Sequence, residues 1–485
     1  MQTATPEAFD LLMQGSLVLA RMESAGIRID TDYLDRTIAE TELRIVRMEQ
    51  ELRQDRTYTL WQQVFEEKTK LGSREQLATL LFDVLKNPYP FELTKTKRYR
   101  ADADVLRSLG LPFVNQYLRL EELKKFTSTF LKGLREEVVD GYVHPTFNLH
   151  TVETYRSSSD SPNFQNIPRR DEELGKLIRR AFIPRPGRVL VENDFGALEF
   201  RICACFWKDP DMIEYASDKK LDIHRDQGAE CYLLEPRQVT KAIRDVAKNS
   251  FVFPKLYGSY YIQIAQNMWN AITERKLTFE GDGAQPKELI ETFSKSGSIS
   301  LFKHLRQQGI LSLGDCDPRE QPRKGTFEKH IYEVEKKFED RFPVFSRSKD
   351  KWWKSYQSTG QFRLMTGFVI SGMYSRNFLM NAPIQGPGFH CLLWTLIQVQ
   401  KWLWKHKMKT KLIGQIHDCL LADVPKNELQ DYLHAVKRII TVELPKAWEW
   451  LVVPLEIESE IAETTWYDKK NWVEIKGQWR PKETP

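Results

Sequence analysis

The 485-residue chain carries 72 Lys and Arg against 67 Asp and Glu, a formal charge of +5, and is 41% hydrophobic and 12% aromatic. That is too long for one ordinary core, too apolar for wholesale disorder, and mildly suited to a polyanionic partner. No apolar run nears the ~18 residues needed to cross a membrane, the acidic N-terminus lacks the basic region of a secretory signal, and the six cysteines show neither CxxC pairs nor zinc spacing, as expected of reduced cytosolic thiols.

In chain order, periodicity predicts a helix over Glu7–Ser24, closed at Gly26 and followed by the short strand Ile27–Ile29. A longer helix over Tyr33–Arg53 sets Leu34, Ile38, Leu43, Ile45, Val46 and Leu52 against a charged face. Ser73 with Gln76 reads as a capping box that opens a helix to Leu85. The stretch TKTKRYR, 94–100, offers Lys95, Lys97 and Arg98 to a phosphate backbone. A second long helix spans Val114–Glu137, so the pair and its basic tip predict an arm rather than a compact core. Residues 142–170, rich in Ser, Asn, Pro and Arg, predict a long ordered loop or a binding surface.

Two stretches carry the chemistry. RVLVENDFGALEFR, 188–201, and KLIGQIHDCLLADV, 411–424, each contain an apolar strand-like run leading to an aspartate, Asp194 and Asp418. Strand ends that present two carboxylates at a sheet rim suit a pair of hard divalent cations. Between them, 219–261 is helical and basic-aromatic. Arg244 and Lys248 lie four apart on one face with Phe251 three further on, a cationic pair and ring that suit a triphosphate and its base. The chain has no glycine-rich phosphate loop, so a triphosphate would rely on side-chain cations and metal. Residues 270–325 are polar without clear apolar period, which predicts an insertion, read as surface elaboration. FRLMTGFVISG predicts a hairpin, Asn381–Trp404 an apolar helix, and Tyr432–Leu444 an amphipathic one. After Pro454, LEIESEIAE predicts a strand beside the 411–424 hairpin.

In order along the chain, YRSSSDSPNFQNIPRR, DFGALEFR, DIHRDQGAECY, RDVAKNSFVFPKLYG, NAPIQG and QIHD resemble the motifs of family A DNA polymerases, the group of bacterial repair polymerases and many phage replicases. The resemblance runs from about Phe9 to Asp468 and lapses only around 270–325. It implies an α+β right-hand fold. An antiparallel palm sheet would come from 1–30, 136–200 and 411–485, a helical thumb from 31–135, and mainly helical fingers from 201–410. The implied reaction is template-directed addition of dNMPs to a primer 3′-end by nucleotidyl transfer with two Mg2+ ions, for which Mn2+ can substitute.

By the same resemblance, Asp194 and Asp418 are metal ligands together with the carbonyl of Phe195. Arg244, Lys248 and His224 grip the triphosphate, while Glu199, held by Tyr257, excludes a 2′-hydroxyl. Phe253 or Phe251 stacks under the base, and counting back from Tyr257 favours Phe253. Arg156, Asn163, Gln165 and Asn166 resemble the loop that follows the primer–template minor groove. Gln385, Gln415 and His417 resemble further primer and template contacts. The implied partners are primer–template DNA, dNTPs and replication accessory proteins, for a monomer in the cytoplasm of a bacterium or its phage-infected counterpart.

Three departures from the family pattern stand out. Gly196 and Ala197 occupy a usual Ser-Gln pair, Cys419 stands where a glutamate is usual, and KNSFVFPKLYG has one residue too many between Lys248 and Tyr257. With Pro254 in that stretch, a kink or bulge is expected. Two rivals remain. A single-subunit RNA polymerase relative is disfavoured by Glu199 with Tyr257, and a non-catalytic DNA-binding relative by the intact acid pair with Arg244 and Lys248. The chain begins almost where the polymerase region begins in the family, so no 3′→5′ exonuclease activity is expected.

Overall fold

A six-stranded antiparallel sheet organises the computed structural model, which describes residues 4–88, 98–168, 172–275, 277–279 and 299–482. Numbering only its strands, these are β1 (Arg188–Phe195), β2 (Lys411–Ile416), β3 (Cys419–Pro425), β4 (Ile457–Ala462), β5 (Lys470–Ile475) and β6 (Gln478–Pro481). Their order is β2-β3-β1-β4-β5-β6. β1 is interior, with neighbours on both edges, and its Val189–Val191 run is buried, as is all of β3. Continuous apolar runs are what such doubly covered strands require.

The LEIESEIAE strand is a correction. As β4 it pairs with β1, not with the hairpin β2–β3. The reason is that β3 already has β2 and β1 as neighbours, while the helix Pro6–Ala25 lies against β2. That helix starts at a Thr5 cap and buries Leu11, Val18, Leu19 and Met22. It also packs on the 30-residue helix Arg376–Lys405, which contains Pro383 and Pro387. Gly386 lets this helix approach the 142–168 loop, because a Cβ there would sit 2.9 Å from the Thr154 carbonyl oxygen.

The helices Thr31–Gln54 and Pro112–Lys125 form the expected arm, the second continuing through a π-helical turn, Phe126–Lys132, to Glu136. Lys124–Glu49 and Lys132–Glu42, each at 2.5 Å, and Arg135–Asp35 at 2.7 Å join the two. These pairs face solvent and contribute little. The arm nevertheless has its own core, built on Trp61, Leu77, Leu81, Phe113, Val114 and Tyr117, contrary to the expectation of a coreless arm. Half of the capping box forms: Ser73 Oγ accepts the Gln76 N–H, but the Gln76 carbonyl turns to Trp61 Nε1 at 3.1 Å. A buried indole N–H needs an acceptor more than an exposed helix end does.

The FRLMTGFVISG hairpin forms as Gln361–Arg363 and Val369–Ser371. In the 270–325 stretch, the helix Leu301–Gln307 buries Leu301 and Leu305 in the main core, with Ile310 nearby. The described part is therefore anchored in the core at 301–310, while 311–325 lies mostly on the surface. Residues 280–298, and Lys95 and Lys97 with them, lie outside the described residues.

Candidate active site

The turn between β2 and β3 holds two residues, His417 and Asp418, between the paired Ile416 and Cys419. His417 takes a left-handed φ of 57°, an uncommon conformation for a side chain other than glycine. The close approach behind this hairpin needs glycine at 414, where a Cβ would meet the Phe164 ring at 2.6 Å. Cys419 aligns with Asp194 of β1, so the turn carries Asp418 to the end of β1. The two aspartates foreseen as partners therefore meet, close enough that their carboxyls act on each other's ionisation.

Past Asp194 the chain turns through Gly196 and left-handed Ala197 (φ 49°) into the helix Leu198–Trp207. Arg201, buried at 7% exposure, pins that turn by donating to the carbonyls of Gly196 (2.9 Å) and Ala216 (2.7 Å) and pairing with Glu456 at 2.7 Å. No motif or periodicity signalled this role. At the first of the two positions the backbone is satisfied, with the Gly196 N–H donating to the Glu456 carbonyl at 3.0 Å.

Neighbouring acids on β1 differ sharply. Glu192 is satisfied by Lys469 at 2.7 Å and by Trp466 Nε1 at 2.8 Å; burial pushes its carboxyl up, but Lys469, Trp466 and Arg179 together hold it below the ordinary range. Asp194 has a buried Oδ1 with no partner. Burial first and the Asp418 charge second push its carboxyl well above the ordinary range, against the pull of Lys248. Asp418 is pushed up to about 6 by burial and then by Glu199, again opposed by Lys248. Glu199 is also raised, chiefly by burial, and its Oε2 lacks a partner. Three recessed carboxyls facing one ammonium are short of positive charge, and the hard oxygen donors Asp194 and Asp418 fit divalent cations. Glu458 of β4 aligns with Asp194 from the other side, a fourth acid that the alternation of LEIESEIAE could have signalled.

Opposite the acids lies the basic-aromatic helix. Lys241–Ala247 runs into a π-helical turn, Lys248–Val252, and then into Phe253–Leu256. The extra residue is absorbed by that turn, since a π turn holds one residue more than an α turn. Pro254 lies just after it, at the start of the next helical segment, where a missing N–H is tolerated. The widened turn brings Lys248 Nζ to 5.3 Å from the Phe253 ring centre. Phe251 is the correction: it is fully buried against Phe338, so it cannot stack on a ligand. Phe253 instead meets Tyr257 (6.0 Å) and the edge of His224 (5.8 Å), and helps to line a pocket of ≈390 Å³ with Tyr257, Asn377 and Asn381.

His224 is 1% exposed, and neither ring nitrogen has a partner. Burial, then Lys248 and Arg244, lower it to about 3, so it is neutral at physiological pH. Arg244 donates Nε to Asp222 Oδ2 at 2.7 Å. Tyr257 is the next surprise. Its hydroxyl lies beside Gln385, whose Oε1 accepts from Arg156 at 2.8 Å, while Glu199 acts on it through charge. Among the described residues no hydrogen bond joins Glu199 to Tyr257, and Glu199 Oε2 is left unpartnered, so the expected clasp is not formed.

Of the loop residues, Asn163 and Asn166 are exposed, with Asn163 Oδ1 accepting from Ser159 Oγ at 3.2 Å. Gln165 donates to Ser157 Oγ at 2.8 Å. Gln415 is a correction: it is fully buried and donates to the same Ser157 oxygen, bracing the loop from behind rather than facing a ligand. His417 is exposed at the turn. Arg98 lies apart on the arm and pairs with Glu75 at 3.0 Å.

The sequence profile of DNA polymerase family A matches residues 33–281 and 371–468. DNA polymerase I of Lactococcus lactis subsp. cremoris is 30% identical over 457 residues, covering 93% of this chain and 45% of that protein. DNA polymerase I of Streptococcus pneumoniae serotype 4 is 30% identical over 467 residues (95% and 46%), and that of Geobacillus stearothermophilus 29% over 468 residues (93% and 45%). The chain thus spans less than half the length of these relatives. Among solved structures, the POL domain of Pol1 from M. smegmatis, in complex with DNA primer-template and dNTP, shares the fold at TM-score 0.70 and 24% identity, covering 94% of this chain and 70% of that one.

Proposed function

The chain belongs to DNA polymerase family A, and from that premise we propose that it is a template-directed DNA polymerase adding dNMPs to a primer 3′-end. The observation that carries the proposal is the recessed Asp194–Asp418 pair facing Lys248, with Arg244 and unpartnered His224 beside it. In this reading the sheet with 1–30 and 136–200 is the palm, the arm is the thumb, and 201–410 are the fingers.

Asp194, Asp418 and the Phe195 carbonyl would hold two Mg2+ or Mn2+ ions, which when bound supply the positive charge that lowers a hydroxyl's pKa and neutralises attacking and leaving oxygens. The primer hydroxyl attacks the α-phosphorus and pyrophosphate leaves. Lys248 and Arg244 orient the triphosphate and offset its charge, work that in phosphoryl transfer outweighs covalent help. Neutral His224, with a nitrogen to spare, donates to a phosphate oxygen. The Phe253 ring stacks on the base, and the Lys248 ammonium beside that ring couples base and phosphate recognition. In this reading Glu199 lies under the sugar and its bulk excludes a 2′-hydroxyl, which favours deoxynucleotides over the RNA polymerase reading. Arg156, Asn163, Asn166 and His417 follow primer and template, with Gln385 held by Arg156. Gln165 steadies the loop. DNA affinity from such contacts falls with salt.

Primer extension tests the reading. Wild type should extend with dNTPs on an open template, whereas Asp194→Asn and Asp418→Asn should bind primer–template yet fail to extend. Undiminished extension by either variant would remove the acid pair from the reaction. The chain is taken to act as a monomer in the bacterial cytoplasm.

A further inference from the structure

We infer that Asp222 is the positioning residue of the triphosphate site, acting through Arg244; this rests on the polymerase reading above. Asp222 caps the helix Ile223–Tyr232, with Oδ1 accepting the N–H groups of His224 at 3.0 Å and Arg225 at 3.1 Å. Its other oxygen, Oδ2, accepts Arg244 Nε at 2.7 Å from the helix Lys241–Ala247. One carboxylate thus joins two helices, and each of its oxygens is engaged.

The geometry of the fork matters. A guanidinium is planar and carries five N–H donors. An acid that takes Nε fixes the plane of the group and leaves the terminal Nη1 and Nη2 edge for a bidentate phosphate. Without that tether Arg244 has the rotamer freedom of a long side chain, and ligand binding must order it. The second observation pointing to a ligand is His224, two residues along the same helix: it is 1% exposed and both ring nitrogens are unpartnered. A buried imidazole with nothing to bond awaits a partner. Asp222 therefore holds one cation and, by its cap, the start of the helix bearing the imidazole, both turned to the same space as Lys248.

Asp222→Asn tests this with little risk to folding, because asparagine caps a helix as well as aspartate. Its amide, however, does not offer the charged acceptor that Arg244 Nε requires. The KM for dNTP should rise about ten-fold, with a smaller fall in kcat, as for the loss of one charge-assisted bond. In an Arg244→Ala background the same change should add nothing, since its route to the ligand is gone. Calorimetric binding of inorganic tripolyphosphate reads the same comparison without turnover, so it tests the inference even if extension fails. A wild type that does not extend primers would sink the polymerase reading by itself. An Asp222→Asn protein with unchanged KM and tripolyphosphate affinity, or an effect undiminished in the Arg244→Ala background, would overturn the role of Asp222 while leaving the polymerase intact.

Discussion

Asp418→Asn should stabilise the metal-free protein while abolishing its reaction. The folded Asp418 carboxyl is held at about 6 against an ordinary 3.8. That gap of roughly two pH units, at ~1.4 kcal/mol each, makes its ionisation cost the folded state about 3 kcal/mol. A raised acid binds more protons folded than unfolded between about pH 4 and 6. Its stabilising contribution is complete below that window and is lost as pH rises through it. The asparagine variant carries no such charge and also relieves Asp194, whose carboxyl is raised partly by Asp418. Urea unfolding in EDTA at pH 5 and pH 8 should therefore find the variant's advantage about half as large at the lower pH. At pH 8 it should approach ~3 kcal/mol. Millimolar Mg2+ should restore the wild type but not the variant. If the variant is no more stable than wild type at pH 8 in EDTA, the carboxyls are not in the electrostatic conflict described.

Phe251→Ala should cost about 3–5 kcal/mol of stability, as for a core phenylalanine, whereas Phe253→Ala should unfold near wild type but raise the KM for dNTP; matching stability losses would contradict their opposite orientations. Glu199→Ala should admit ribonucleotides, read as extension with rNTPs, and continued rejection would move sugar discrimination elsewhere. Lys255, 2% exposed, bridges Glu335 at 2.8 Å and Glu339 at 2.5 Å behind the π turn. Lys255→Met should strand the Glu335 charge in the core at a loss of about 3–5 kcal/mol in urea unfolding; a loss below about 1 kcal/mol would mean that Glu335 finds water or another cation.

The local pattern was enough to foresee the helices that open the chain, the two aspartate strands, the 361–371 hairpin and the meeting of Asp194 with Asp418. Apolar period, caps and turn residues report which face of an element is buried, and a strand run ending in an acid marks where chemistry can sit. What periodicity does not carry is the identity of the neighbour. β4 could have met either side of the central sheet, and the free edge of β1 decided it, bringing Glu458 level with Asp194. Side-chain satisfaction is likewise a tertiary matter. Lys469 and Trp466 satisfy Glu192, Arg156 rather than Tyr257 holds Gln385, and Ser157 draws Gln415 into the interior. The inserted residue near Pro254 announced an irregular helix by itself. Only the packed structure decided that a π turn would absorb it, sending Phe251 into the core and Phe253 to Lys248, because the buried face of that helix must stay continuous on both sides of the extra residue.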